Sequence, residues 1–317
     1  MSGAARHARR ARRARVRALA KINLDLRVLA KRADGYHELR TIFQTISLAD
    51  TLDISFTPAR KTSIDLEDPL GLPGNLAERA ARLVMETLRV AGRVEIRLVK
   101  RIPMGAGLGG GSSDAAAVLL ALPVLAGRRP DLATLCEMGQ QLGSDVPFFL
   151  LGGRAVGIGR GSELFPLPDA PARPGLLVTP DVHVSTADAY ERLSGRLDAQ
   201  ADKVFSFQSH AWEVGASAQG KNDFEAVVFE QHPRLAALKK RLKGAGAGAA
   251  MMTGSGSALF GLFSDREAAG RAFGRFGDEK RFRISLVGRA GYRSMWWRAL
   301  GAHIDGRMWP PRSRYGR

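Results

Sequence analysis

The chain has 317 residues, 45% hydrophobic and 25% charged, which is enough for about two domains with a sizeable core and excludes wholesale disorder. One cysteine, Cys136, excludes an internal disulfide framework and a multi-thiolate metal site, and six scattered histidines without an H-E-x-x-H spacing disfavour zinc, so no dedicated protein metal site is expected. The net charge of +17 gathers at the ends, with seven Arg and no acid in residues 1–17 and seven Arg against Asp305 in residues 289–317, which disfavours nucleic acid as the main partner.

Residues 1–17 read as a basic disordered arm. They lack the apolar centre of a secretory signal, and no apolar run in the chain reaches about 18 residues, so a cytoplasmic protein without membrane contact is expected. Residues 18–29 alternate from Ile22 to Leu26 and predict a strand; residues 41–48 and 51–56 predict two more, after an Asp34-Gly35 turn. Asn75-Leu76-Ala77-Glu78 opens a helix in the manner of a capping box, and Val94, Ile96 and Leu98 alternate in a further strand. Residues 115–122 are apolar on every face, the mark of a buried helix. Pro130 suits the start of another helix ending near Gly143, and residues 146–151 read as a strand.

The Pro-rich stretch 166–174 is the expected domain boundary. Beyond it, strands are expected at 176–179, 258–263 and 282–287. Helices are expected after Ser185-Thr186, Pro233 and Ser264-Asp265. Residues 291–317 read as a basic tail. Strands with one polar face, interleaved with helices, predict an α+β architecture with antiparallel sheets in two domains, 18–170 and 176–290.

The most informative segment is Pro103-Met104-Gly105-Ala106-Gly107-Leu108-Gly109-Gly110-Gly111-Ser112-Ser113-Asp114. Five glycines in seven positions let backbone N–H groups converge, and the loop runs into a helix whose N-terminus favours anions. It contains a formal G-x-G-x-x-G, but the strand before it has a polar face and no acid closes a second strand about 20 residues on. No Lys follows the glycines, so it is not a Walker A loop, and protein-kinase H-R-D and D-F-G signatures are absent. A close-packed structural turn is the plain alternative.

This loop resembles the ATP loop of the galactokinase–homoserine kinase–mevalonate kinase–phosphomevalonate kinase (GHMP) superfamily. Ala20-Lys21-Ile22-Asn23-Leu24 is similar to its N-terminal motif, and Thr253-Gly254-Ser255-Gly256-Ser257 to its C-terminal glycine motif. Residues 32–39 (Arg-Ala-Asp-Gly-Tyr-His-Glu-Leu) and 142–149 (Leu-Gly-Ser-Asp-Val-Pro-Phe-Phe) are similar to one branch, the kinases whose acceptor is a methylerythritol unit carrying cytidine diphosphate. The resemblance spans about residues 18–290. It implies an N-terminal domain like ribosomal protein S5 domain 2, a ferredoxin-like C-terminal domain, and transfer of the ATP γ-phosphoryl to the 2-hydroxyl of that acceptor. Asp114 departs from the Asn expected there, and residues 301–317 have no clear counterpart.

The resemblance also assigns roles. Asp145 would be the base and Lys21 its cationic partner, orienting the hydroxyl and offsetting phosphate charge. Pro103 through Ser113 would hold ATP. Mg2+ would arrive with the nucleotide, with Ser112 or Ser113 as a ligand or simply as a helix cap. Asn23 lies on the strand face of Lys21. Tyr36 and Tyr190 would stack on the cytosine, His37 would meet its edge, and Thr186 precedes Tyr190 by one helical turn. Lys100 and Arg101 would approach phosphate or end a solvated strand. Cys136 reads as a core thiol and Asn222 as a helix cap; Trp296-Trp297 reads as packing or as a contact. A kinase for mevalonate or homoserine, or a basic nucleic-acid-binding protein on the same fold, are the competing readings. A monomer or weak homodimer is expected.

Overall fold

The computed structural model describes residues 11–68, 71, 73–195, 220–304 and 309–312; residues 1–10 of the expected arm and 305–308 and 313–317 of the expected tail lie outside these. Strands β1 (Arg12–Lys31) and β2 (His37–Pro58) pair antiparallel along almost their whole length, from Arg12↔Phe56 to Lys31↔His37. β2 is continuous where two strands were predicted. Its second half pairs with β4 (Gly92–Val99) and its first half with β5 (Arg154–Gly159), so one strand serves two partners. β3 (Ser63–Glu67) joins β4 as a parallel edge, and β6 (Glu163–Pro166) closes the other side.

The start of β1 corrects the expected disordered arm. Residues 12–17 are strand, with Ala14 and Val16 turned into the core and Arg13 and Arg15 turned out. The period-two alternation of a half-buried strand was present in the sequence, but arginine composition masked it.

Helices α1 (Leu76–Thr87), α2 (Gly110–Leu125), α3 (Leu132–Leu142) and α4 (Val146–Leu151) cover one face of this sheet. Asn75 caps α1 by accepting from the Ala77 amide at 2.9 Å, and Asp131 caps α3 through the Thr134 amide at 2.9 Å. α2 is buried from Ser113 to Leu125, as its uniform apolarity requires. α4 overturns the strand predicted for 146–151. Pro147 cannot donate to a sheet ladder but fits a first helical turn, and a six-residue apolar run carries no period that separates the two.

The second sheet contains β7 (Pro174–Val178), β8 (Ala249–Met252), β9 (Leu259–Leu262) and β10 (Arg281–Ser285), in the order β10-β7-β9-β8, all antiparallel. Around it lie α5 (Thr186–Ser194), α6 (Phe224–Gln231), α7 (Pro233–Gly244) and α8 (Arg266–Gly274). The two sheets meet through an apolar layer in which Ile22, Ile42 and Ile46 join Leu177, Phe260 and Ile284.

The expected basic tail is also corrected. Residues 289–300 form α9 (Arg289–Leu300), which returns to the N-terminal domain. Tyr292, Trp296 and Leu300 recur every four residues, and with Ile304 and Trp309 they are buried in that domain's core, while Trp297 is exposed. The arginines between them lie on the other faces, so net charge concealed an amphipathic helix. Cys136 packs half-buried against the same core.

A buried charge cluster supports the glycine-rich loop. Asp50 on β2 accepts from the Ile102 amide at 2.8 Å and from the Arg101 amide, and Lys100 bridges Asp50 and Asp114, reaching the latter at 2.7 Å. Lys100 is therefore neither a solvated strand end nor free for phosphate. Burial alone would lower its pKa, but Asp114 and Asp50 outweigh it and raise it. Burial, only partly offset by Lys100 and worsened by Asp50, pushes Asp114 up to about 7.

Removal of residues 1–17 is expected to destabilise the domain, because it strips Val16 and Ala14 from the core and unpairs the end of β2. A buried valine alone accounts for about 1.5–3 kcal/mol, read as a lower urea midpoint. A second expectation concerns pH. A carboxyl raised in the folded state binds more protons folded than unfolded, so its contribution to stability falls as pH rises from near 4 to about 7. Asp114→Asn should therefore lose less stability than wild type between pH 5 and pH 8, read as Tm at both values.

Candidate active site

Lys21 stands on β1 directly beneath the glycine-rich loop. Its amide donates to the Leu108 carbonyl at 3.1 Å, and its ammonium donates to Asn23 Oδ1 at 2.8 Å. The ammonium lies 3.6 Å from Asp145 Oδ2 and 5.4 Å from the centre of the Phe43 ring. The Lys21 side chain is 5% exposed and that of Asp145 33%. Burial lowers the lysine below its ordinary range, and the charge and hydrogen bonding of Asp145 oppose that only in part. Asp145 itself is the N-cap of α4, at the turn following Gly143 that ends α3. Two helix ends thus hold its direction, where the sequence placed it before a strand.

Asn23 is 2% exposed, and its side chain is fully engaged. Besides Lys21, Oδ1 accepts from the Gly254 amide at 3.0 Å and from Thr253 Oγ1 at 3.2 Å, while Nδ2 donates to Thr41 Oγ1 at 2.7 Å. It organises the site and ties the two domains together, and it also lines the cavity of Lys21 and Asp145, where the sequence offered it as a substrate contact. Asn222 does similar work. It bridges to β1 opposite Leu26 and donates to the carbonyls of Met252 (2.9 Å) and Gly254 (2.8 Å). The sequence reading missed Thr41, Asp50 and Arg160; the helix cap it offered for Asn222 is present, with Oδ1 accepting from the Phe224 amide at 3.0 Å, beside these further contacts.

The two glycine motifs sit back to back. Gly107 has φ 76°, and a Cβ there would lie 2.1 Å from the Thr253 carbonyl oxygen, so no other residue fits this approach. Gly109, with φ 68°, is the N-cap of α2, and a Cβ there would strike the Phe149 ring at 2.8 Å. Leu108 and Ala106 are buried and anchor the loop, while Met104 is exposed at its tip. Ser113 is buried, and its Oγ donates to the Leu19 carbonyl at 2.7 Å. Ser112, half-buried on the side of Gly143, makes no side-chain hydrogen bond among the described residues. Gly110 and Gly111 open α2, and Gly109 before them lines the cavity of Lys21 and Asp145; the start of a helix favours an anion.

A narrow cavity of about 220 Å³, lined by Lys21, Gly107, Gly109, Asp145 and Ser255, opens into a cleft of about 900 Å³. The larger cleft is lined by Tyr36, His37, Arg160, Thr186 and Tyr190, and Asp145 borders both. Its size suits a ligand of several hundred daltons. The aromatic arrangement differs from two bare tyrosine faces. His37 stacks on Tyr190 with ring centres 4.6 Å apart and shares a 2.5 Å contact with Ser194 Oγ, and the Arg160 guanidinium lies 3.4 Å over the Tyr36 ring. Burial and then the Lys31 charge hold the His37 imidazole below its usual pKa, so it is neutral near pH 7. Thr186 shares a 2.8 Å hydrogen bond with Ser255, linking α5 to the second glycine motif. Among the described residues, no three of His, Cys, Asp and Glu converge as a metal cage.

Comparison with known proteins is consistent with this geometry. Residues 75–153 match the model for the GHMP kinases N terminal domain, and residues 210–280 that for GHMP kinases C terminal. A 4-diphosphocytidyl-2-C-methyl-D-erythritol kinase from Solibacter usitatus (strain Ellin6076) is 66% identical over 310 residues, covering 96% of this chain and 98% of that protein. One of the same description from Pelotomaculum thermopropionicum is 42% identical, covering 82% and 92%. A crystal structure of 4-(cytidine 5'-diphospho)-2C-methyl-D-erythritol kinase superposes with a TM-score of 0.74 at 38% identity, covering 86% of this chain and 99% of that one. Homoserine kinase from Cytophaga hutchinsonii shares the fold at 20% identity and a TM-score of 0.68. A paired lysine and carboxylate beneath a glycine-rich helix start, on a chain this similar to these relatives throughout, places it in the GHMP kinases, within the 4-diphosphocytidyl-2-C-methyl-D-erythritol kinase family.

Proposed function

We propose that the chain transfers the γ-phosphoryl of ATP to the 2-hydroxyl of 4-diphosphocytidyl-2-C-methyl-D-erythritol. The products are its 2-phosphate and ADP, in the methylerythritol phosphate route to isopentenyl diphosphate. The observation that carries this is the position of the Lys21–Asp145 pair, at the junction of a phosphate-sized cavity and an aromatic cleft. Phosphoryl transfer is achieved by positioning and charge rather than covalent chemistry, and this junction supplies both.

Asp145 accepts the hydroxyl proton as the acceptor oxygen bonds to the γ-phosphorus and the bond to the ADP oxygen breaks. Lys21 orients that hydroxyl and offsets charge on the transferred oxygens. Because its ammonium has one neutral amide oxygen and one carboxylate at 3.6 Å, it retains capacity for a further anionic partner. The amides of Gly109–Gly111 and the Ser112 hydroxyl hold the nucleotide phosphates. Mg2+ takes hard oxygen ligands and keeps several waters, so the Ser112 hydroxyl and the phosphates suit it without a protein cage; bound there, it would neutralise β,γ-phosphate charge. Tyr36, His37, Thr186 and Tyr190 receive the cytidine end, and Arg160, at the border of both cavities, faces the diphosphate between them. No helix among the described residues is long and apolar enough to cross a membrane, and we place the enzyme in the cytoplasm with its nucleotide substrates.

Asp145→Asn should retain ATP binding by calorimetry and lower kcat by roughly 10²–10⁴, and Lys21→Ala should be comparably damaging. Near-wild-type turnover of either folded variant would reject the roles assigned. Coupled ADP release with a panel of alcohols tests the acceptor. The diphosphocytidyl compound should be turned over, while mevalonate, homoserine and free methylerythritol should be poor. Tyr36→Ala should raise KM for the diphosphocytidyl acceptor by an amount equivalent to about 1–3 kcal/mol of stacking, with ATP affinity unchanged.

A further inference from the structure

Helix α9 lies outside both segments matched by the family models, and it lines neither cavity. It nevertheless grips the far end of the helix that carries Asp145. The Tyr292 hydroxyl donates to the Phe149 carbonyl in the last turn of α4. Its ring occupies the place of any side chain at Gly152, since a Cβ there would stand 2.2 Å from Tyr292 Cδ1. Arg289 is seated on Gly153 in the same manner, at 2.7 Å, and donates to the Leu167 carbonyl at 3.1 Å. The start of α9 is held in turn by Asp169 of the interdomain stretch, which accepts from the amides of Arg289 (2.6 Å) and Ala290 (3.1 Å).

α4 has six residues and is therefore about 9 Å long. A helix this short moves as one body, and the carbonyls of its last turn need partners from outside. Displacement at Phe149 is passed directly to Asp145 at the other end. The tyrosine is 1% exposed, and no water replaces its hydroxyl without opening the core.

We propose that Tyr292 is a positioning residue for the phosphoryl transfer, fixing α4 from behind so that Asp145 stays seated against Lys21. This rests on the role of Asp145 given above. A misplacement of about 1 Å at a reacting group can lower a rate by about 10²-fold, so loss of one buried hydrogen bond from a packed ring should be felt in kcat.

The test uses the full-length protein as Tyr292→Phe, Asp145→Asn and the double variant, with steady-state kinetics and amide hydrogen exchange. Tyr292→Phe keeps the ring and is expected to fold. Its kcat should fall about fivefold to twentyfold while KM for ATP and for the acceptor stays within about twofold. Amides of residues 146–152 should exchange faster. Added to Asp145→Asn, the substitution should lower kcat no further, because its effect runs through that carboxylate. An unchanged kcat overturns the proposal, as does a loss that multiplies in full on the Asp145→Asn background. Absence of wild-type turnover with the diphosphocytidyl acceptor would reject the assigned function instead. The exchange measurement needs no acceptor, and unchanged exchange at 146–152 would then overturn the Tyr292 proposal by itself.

Discussion

Burying a lysine ammonium is costly unless oxygen atoms surround it, and the Lys21 residue is only 4% exposed. Its nearest acceptor is a neutral amide oxygen, that of Asn23, and its carboxylate partner stands off at 3.6 Å. Holding that amide in place takes the hydroxyls of Thr41 and Thr253 and the amide of Gly254, from strand β2 and from the loop after β8 in the other domain. The buried ammonium is thus held at a domain interface, through an amide that the other domain helps to fix. The same contacts bring the two glycine motifs together, so Gly107 and Thr253 define how closely the domains approach.

Two lysines near the loop show how environment divides labour. Lys100 has a carboxylate on either side, is held more strongly protonated than an ordinary lysine, and fastens β2 to the first turns of α2. Lys21 has less negative charge near it than its burial calls for, and its pKa is lowered. A site short of negative charge is one that an incoming phosphate improves. The structural lysine is satisfied by its two carboxylates, while Lys21 has room for the further anion that the proposed phosphoryl transfer would bring.

The aromatic cleft obeys a different constraint. A flat base needs faces to stack on, yet exposed aromatic faces in water attract neighbours. Here Arg160 covers Tyr36 and His37 covers Tyr190. Both covering groups carry polar atoms, and Arg160 also borders the cavity of Lys21 and Asp145, so the aromatic faces and the charged pair share one boundary.

Much of this was legible in the amino-acid order. The glycine-rich loop, the buried α2, the capped helices and the separation into two α+β units follow from local backbone preference and from periodicity, which act within a few residues. The loop stood out by its glycine density, whereas Lys21 and Asp145 were singled out by the family resemblance. Tertiary structure alone decided the rest. Arginine-rich composition hid the strand of residues 12–17 and the helix of residues 289–300, because average charge says nothing about which face a side chain takes. The apolar run 146–151 carries no period, so apart from Pro147 nothing in it separates helix from strand until it packs behind Asp145. The engagement of Asn23 and Ser113, the Asp50–Lys100–Asp114 cluster and the seat of Tyr292 join residues far apart in the chain. Hydrogen bonds of that kind depend on distances that the chain acquires only when both sheets have closed on each other.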